Sequence, residues 1–160
     1  MLLMDQDKDQ FSNEYPPPSF HFKVVFTSQT GRVDTSFQDV SGISATLTAE
    51  ETTQGGENSS NIFLPKSIDY SNLVLKRGIA PLDSPLATWC SKVLHSDLAE
   101  PIIPTDVLVY LLNEERSPMR AWCFVRAYPV KWSVEAFNST KNEVAIETIE
   151  LKYHHFYRMM

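Results

Sequence analysis

The chain has 160 residues, 14 basic and 20 acidic side chains and a formal charge of −6, with 42% hydrophobic and 11% aromatic residues. That balance fits one folded domain with one core and excludes a disordered or fibrous chain. Residues 1–60 hold 3 basic and 9 acidic side chains and so carry the whole −6. Phosphates need a basic footprint, so recognition of nucleic-acid sequence is not expected. No apolar run approaches the roughly 18 residues of a membrane span, so no insertion into a bilayer is expected. Met1-Leu-Leu-Met, followed by Asp5, Asp7 and Asp9, is too short for a signal h-region. Synthesis in the cytoplasm without a classical export signal is therefore expected.

Residues 1–14 are polar and predict a flexible N-terminal arm, with a single domain from 15 to 160. Tyr15-Pro-Pro-Pro-Ser19 is a stiff polyproline-like lead-in. Phe20 to Thr27 predicts a strand, with Phe20, Phe22, Val24 and Phe26 on one face. Gln29-Thr-Gly-Arg32 is a turn. Val33 to Val40 predicts a second strand anchored by Phe37, and Ser41-Gly42 marks a bend. Ile43 to Glu51 predicts a third strand with Ile43, Ala45, Leu47 and Ala49 on one face. Thr52 to Ser60 predicts a loop. It contains Gly55-Gly56, but no Gly-Lys-Ser/Thr and no helix start follows, so it is not a phosphate loop. Ile62-Phe63-Leu64-Pro65 gives this loop an apolar tip that needs burial on its own domain or a neighbour.

Tyr70 to Gly78 predicts a short strand with Leu73 and Leu75 on one face. A helix follows, with Ser84 as N-cap, Pro85 in the first turn and Asp83 near the positive end of the dipole. Its apolar face is Leu86, Trp89, Cys90, Val93 and Leu94, at i, i+3, i+4, i+7 and i+8. No second helix of comparable quality is predicted. Ser96 to Pro104 connects to a strand over Thr105–Asn113 that is apolar on both faces, hence central and covered on both sides. After the Asn113–Pro118 turn, Arg120–Val134 is a long strand in which Tyr128-Pro129 implies an edge or bulge. Trp122, Phe124 and Trp132 supply large buried area. Asn138–Asn142 is a turn. Val144–Tyr153 is the last strand, whose apolar face switches between Ile146 and Ile149 as if bulged. The aromatic tail His154–Met160 is expected to dock on something.

The chemistry-bearing residues do not cluster. Cys90 and Cys123 lack the spacing of a zinc site or disulfide framework and read as buried free thiols. His154 and His155 should point to opposite faces of a strand and not share a metal. Glu147 and Glu150 should also lie on opposite faces, unlike a glycosidase pair. No serine sits in a Gly-x-Ser-x-Gly elbow. Of Lys76 and Arg77, one solvates a surface and the other pairs with a carboxylate. No catalytic site, metal or cofactor is expected.

Six stretches in order carry a family resemblance. They are Tyr15-Pro-Pro-Pro-Ser-Phe-His-Phe, Phe37-Gln-Asp-Val-Ser-Gly-Ile, and Glu51 through Gly55-Gly56-Glu57-Asn58 to Leu64-Pro65. The others are Asn72-Leu-Val-Leu-Lys-Arg-Gly78 with Trp89, Tyr128-Pro-Val-Lys-Trp132, and Asn142-Glu-Val-Ala-Ile-Glu-Thr-Ile-Glu-Leu151. Together they resemble the tail-tube proteins of contractile phages and of phage-tail-like extracellular contractile injection systems. The resemblance implies a mainly β fold: two packed antiparallel sheets, a partly barrel-like sandwich with one flanking helix. It implies a structural, non-enzymatic subunit forming hexameric rings, stacked into a tube within a contractile sheath, with spike or baseplate proteins at one end and effector cargo in the lumen. Contacts between rings would then involve Glu51, Gly55, Gly56, Asn58, Ile62, Phe63 and Leu64, together with the tail and the arm. A tube-initiating ring that joins tube to spike is the alternative within the family. A monomeric β-barrel holding a small apolar ligand is the alternative outside it.

Overall fold

The computed structural model describes residues 21–27, 32–53, 55–56, 61–78, 84–135, 140 and 145–160. The expected arm, the proline lead-in, Asn58, Asp83 and most of the turns at 29–32 and 138–142 lie outside the described residues.

Among these residues ten strands and one helix follow in chain order: β1 His21–Phe26, β2 Arg32–Phe37, β3 Asp39–Ser41, β4 Ala45–Thr53, β5 Asn61–Tyr70, β6 Leu73–Gly78, α1 Pro85–Leu94, β7 Thr105–Leu112, β8 Pro118–Val134, β9 Ile146–Lys152 and β10 His155–Arg158. All pairings are antiparallel. One sheet runs β2-β1-β7-β8, with β10 also on β8, and the other runs β8-β9-β6-β3. The path ends at β2 and β3 and is not closed into a barrel. The fold is thus two packed antiparallel sheets with one helix, as the family resemblance implied.

β8 joins the sheets, because its first half pairs with β7 and its second half with β9. It passes between them at Arg126, which adopts a left-handed φ of 53°. The Asp106 carboxylate accepts the Arg126 backbone N–H at 2.9 Å there. A register shift between Pro129 and Lys131 follows, as the proline required. A strand that changes sheet needs such a bend.

The core lies between the sheets and under the helix. Val24, Phe26, Phe37, Leu73, Leu75, Val107, Val109, Phe124, Ile149 and Leu151 fill it, with Leu86 and Cys90 from α1. Phe37 is the buried anchor expected of β2, and Trp89 packs edge-on against Phe26 at 5.4 Å. Trp89, Val93 and Leu94 complete the helix face half-buried. The Ser84 hydroxyl accepts the Ala87 N–H at 3.2 Å and so caps the helix. Cys90 and Cys123 are buried free thiols.

Three expectations need correction. β7 is central, but only its Val107/Val109 face is fully buried, while Leu108 and Tyr110 opposite are half-exposed. Trp122 and Trp132 are half-buried; only Phe124 of that trio is fully enclosed. β9 does not switch faces: Ala145, Glu147, Ile149, Leu151 and Tyr153 all point inward. Glu147 is a charged residue on a core face, and that is what disguised the alternation.

Glu147 is tolerated because it is fully partnered. Its Oε2 accepts from Arg77 Nε at 2.8 Å and its Oε1 from Trp132 Nε1 at 2.7 Å. Arg77 also donates to the Ser84 hydroxyl at 2.6 Å and lies over the Phe37 ring at 4.7 Å. Lys76, its neighbour, is exposed. The carboxylate pairing expected for one of the two thus falls to Arg77. The tail docks as β10, pairing His155 with Val125 and Arg158 with Trp122.

Candidate functional site

Among the described residues β4 and β5 pair only with each other and form a separate two-stranded sheet. What reads in the sequence as a loop with an apolar tip is a long hairpin: β4 runs on to Thr53, and Ile62-Phe63-Leu64-Pro65 belongs to β5. Threonines and glutamates on β4 obscured this, since an arm wet on most of both faces has no strong hydrophobic alternation.

Its register decides what each face carries. Ala45 pairs with Tyr70, Leu47 with Ile68, Ala49 with Pro65 and Glu51 with Phe63, and directly paired residues share a face. A register shift between Thr48 and Ala49 leaves Lys66 as an extra residue on β5. This bulge keeps Pro65 and Phe63 in line with Leu47 and Ile68. The result is an apolar stripe on one face from Ala45/Tyr70 to Phe63, beyond which the last pair, Thr53/Asn61, is polar. The other face is polar near the base, with Thr46/Asp69 and Thr48/Ser67, and becomes apolar beyond it at Leu64 and Ile62. Near the base the Thr48 and Ser67 hydroxyls hydrogen-bond at 2.7 Å.

The predicted contact residues therefore divide. Glu51 and Phe63 meet on the striped face, Ile62 and Leu64 lie on the opposite one, and Gly55 and Gly56 are exposed in the bend beyond. Leu47 and Ile68, absent from the predicted set, extend the stripe toward the base; the Ala45-Leu47-Ala49 alternation was the signal for them. Phe63 is 66% exposed, Leu47 60%, Ile68 55%, Leu64 51% and Ile62 37%. An isolated two-stranded hairpin is marginal in water, and apolar area of this extent marks an interaction surface.

The base of the hairpin is built more firmly. Gly42 has φ 85°, and a Cβ there would collide with the Asn72 carbonyl oxygen. The Ser44 hydroxyl donates to the Ser71 hydroxyl at 2.7 Å. Tyr153 donates its hydroxyl to the Ser71 carbonyl at 2.7 Å. Burial first, and then the Tyr70 hydroxyl, push the Tyr153 pKa up to about 12.

His154 and His155 depart from expectation. They lie where β9 gives way to β10, not within one strand, and their Nδ1 atoms are 2.9 Å apart. Among the described residues no group of three His, Cys, Asp or Glu side chains gathers as a metal site would require. Glu147 and Glu150 lie on opposite faces, as expected. No helix among the described residues is long and apolar enough to cross a membrane.

A search of curated proteins returned no match. Among solved structures, a chain of the anti-feeding prophage (AFP) baseplate, 6-fold symmetrised, is similar at 30% identity and TM-score 0.71, over 88% of this chain and 91% of that one. A chain from the sheath/tube terminator of an extracellular contractile injection system, PVC, in the extended state is similar at 23% identity and TM-score 0.72, over 92% and 99%. Hcp1 from Flavobacterium johnsoniae shares the fold at 13% identity and TM-score 0.53, over 87% and 94%. The family model of the T4-like virus tail tube protein gp19 matches residues 18–157. The chain belongs to that tail tube protein family.

Proposed function

We propose that this chain is a non-enzymatic subunit of the inner tube of a contractile injection particle. Six copies form a ring, rings stack into a hollow tube within a contractile sheath, and the tube conducts effector cargo. The observation that carries this reading is the β4–β5 hairpin, an arm with an apolar stripe on one face and apolar residues on both faces at its far end. Such an arm exposes apolar area whose burial is favourable, and the next ring is the surface that a stacking subunit always meets. The outer edges of β2, β3 and β10, unpaired among the described residues, support ring closure by edge pairing between copies. The 6-fold symmetry of the AFP baseplate structure is consistent with rings of six. The sheath–tube complex of the PVC system, whose chain is similar at 22% identity, is consistent with a sheath partner. Residues 15–160 act as one domain with residues 1–14 as an arm. The chain is made in the cytoplasm and works as part of the assembled particle.

Aspartate at Phe63 or Leu64 tests the hairpin. Each places a charge in the contact and should abolish stacked tubes in negative-stain images while thermal melting stays within a few degrees of wild type. Normal tubes from Phe63→Asp and Leu64→Asp would remove the hairpin from the interface.

A second reading is the ring that initiates the tube at the spike. It is favoured by 30% identity to a baseplate chain against 22% to a sheath–tube chain. An initiator should not polymerise alone and should co-purify with the spike protein. Long tubes from the pure chain would exclude it.

A further inference from the structure

We propose that Tyr70 and Phe156 are positioning residues: the C-terminal strand β10 clamps the base of the hairpin and fixes its angle to the body. The proposal rests on the hairpin being the stacking element. It adds which residues hold that element in its working pose.

The hairpin strands form no sheet with any other strand among the described residues. Nine residues of β4 at about 3.3 Å each make an arm of about 30 Å. Rotation by about 10° at the base would move its far end by about 5 Å, which is more than a van der Waals contact tolerates. Stacking therefore demands a stiff base.

The base is stiff in two parts. The polypeptide crosses at Gly42 and Asn72 with no room for a side chain, and Ser44 and Tyr153 hold Ser71 through its hydroxyl and carbonyl. The second part is aromatic. Tyr70, the last residue of β5, has its ring 5.9 Å from Tyr153 and 5.6 Å from Phe156. Phe156 in turn lies 5.5 Å from Phe124 of β8, and Tyr153 4.9 Å from Phe124. The rings thus run from the hairpin, through the tail, into the core. Edge-to-face pairs are directional, so the cluster sets an orientation as well as burying area. β10 itself is held by its ladder to β8, which makes it a fixed abutment.

The test is the distance distribution between spin labels at Thr53→Cys on the hairpin and Lys76→Cys on the body. Both positions are exposed, whereas Cys90 and Cys123 are buried. Full-length protein is measured at a dilution where subunits are unassembled. Wild-type background should give one narrow distribution. Tyr70→Leu and Phe156→Leu should each broaden it at least twofold, and Tyr70→Phe, which keeps the ring, should leave it narrow. A general loss of sheet stability would lower the melting temperature without widening that distribution. If Phe156→Leu does not fold, Tyr70→Leu decides by the same criterion. Unchanged widths in the folded leucine variants overturn the proposal. Because free subunits are measured, the result does not depend on tube formation. Wild-type protein that never assembles would count against the proposed function alone. Tubes from wild type with unchanged widths in the variants would count against the clamp alone.

Discussion

At the scale of single residues, the chain places one full charge pair inside its core and completes every bond around it. Arg77 and Glu147 sit on facing strands, and Trp132 and Ser84 take up further hydrogen-bonding capacity. No buried side-chain N or O among the described residues lacks a partner. Desolvating two charges is costly, so the pair adds little net stability, yet losing one partner leaves a buried charge bare. Glu147→Ala should therefore lower unfolding free energy in urea by about 3–5 kcal/mol. The double variant Glu147→Leu with Arg77→Met should recover most of that loss. Additive losses in the double variant would mean the pair is not coupled. Tyr153 gives a pH-dependent test. Its hydroxyl is more reluctant to ionise when folded, with a pKa of about 12 against the ordinary 10. The unfolded chain then releases its proton first, so this contribution is complete below pH 10 and is lost as pH rises toward 12. Wild type should lose stability faster than Tyr153→Phe over that window, by urea midpoints, and parallel curves would refute the assignment.

At the scale of elements, legibility in the sequence followed the strength of each local signal. α1 was readable because cap, proline and a five-residue apolar face agree, and β1 because Phe22, Val24 and Phe26 alternate cleanly. The register shift in β8 is readable from Pro129. β9 was misread because Glu147 is charged yet inward; its partner stands 70 positions away, and no local pattern reveals that. The first strand of the hairpin is legible as Ile43–Glu51, but Ile62-Phe63-Leu64-Pro65 reads as a loop tip, because an arm exposed on most of both faces follows no core pattern. The extra residue Lys66 could not be inferred at all, since register is a property of two strands. Ser41-Gly42 reads as a bend from sequence alone, but only the Asn72 carbonyl beside Gly42 explains why glycine is needed there. Gly42→Ala should cost about 2 kcal/mol or more, from its left-handed backbone and the collision together. A melting temperature equal to wild type would show that the crossing can relax.

At the scale of the whole molecule, the two sheets present different outer faces. On the β8-β9-β6-β3 sheet, Asp39, Lys76, Thr148 and Ser133 form one row, and Glu150 stands beside Lys131 in the next. That mixed polar face suits continued contact with water. On the other sheet, Val25, Leu108 and Tyr110 are half-exposed. The hairpin and the outer edges of β2, β3 and β10, open among the described residues, add to the apolar area and backbone left uncovered. The solution mass of the purified chain, with negative-stain images of the same sample, tests assembly directly. Particles of six times the 18.2 kDa chain, or tubes built from them, are expected as concentration rises or spike protein is added. A single 18.2 kDa species at high concentration, with and without spike protein, would contradict it.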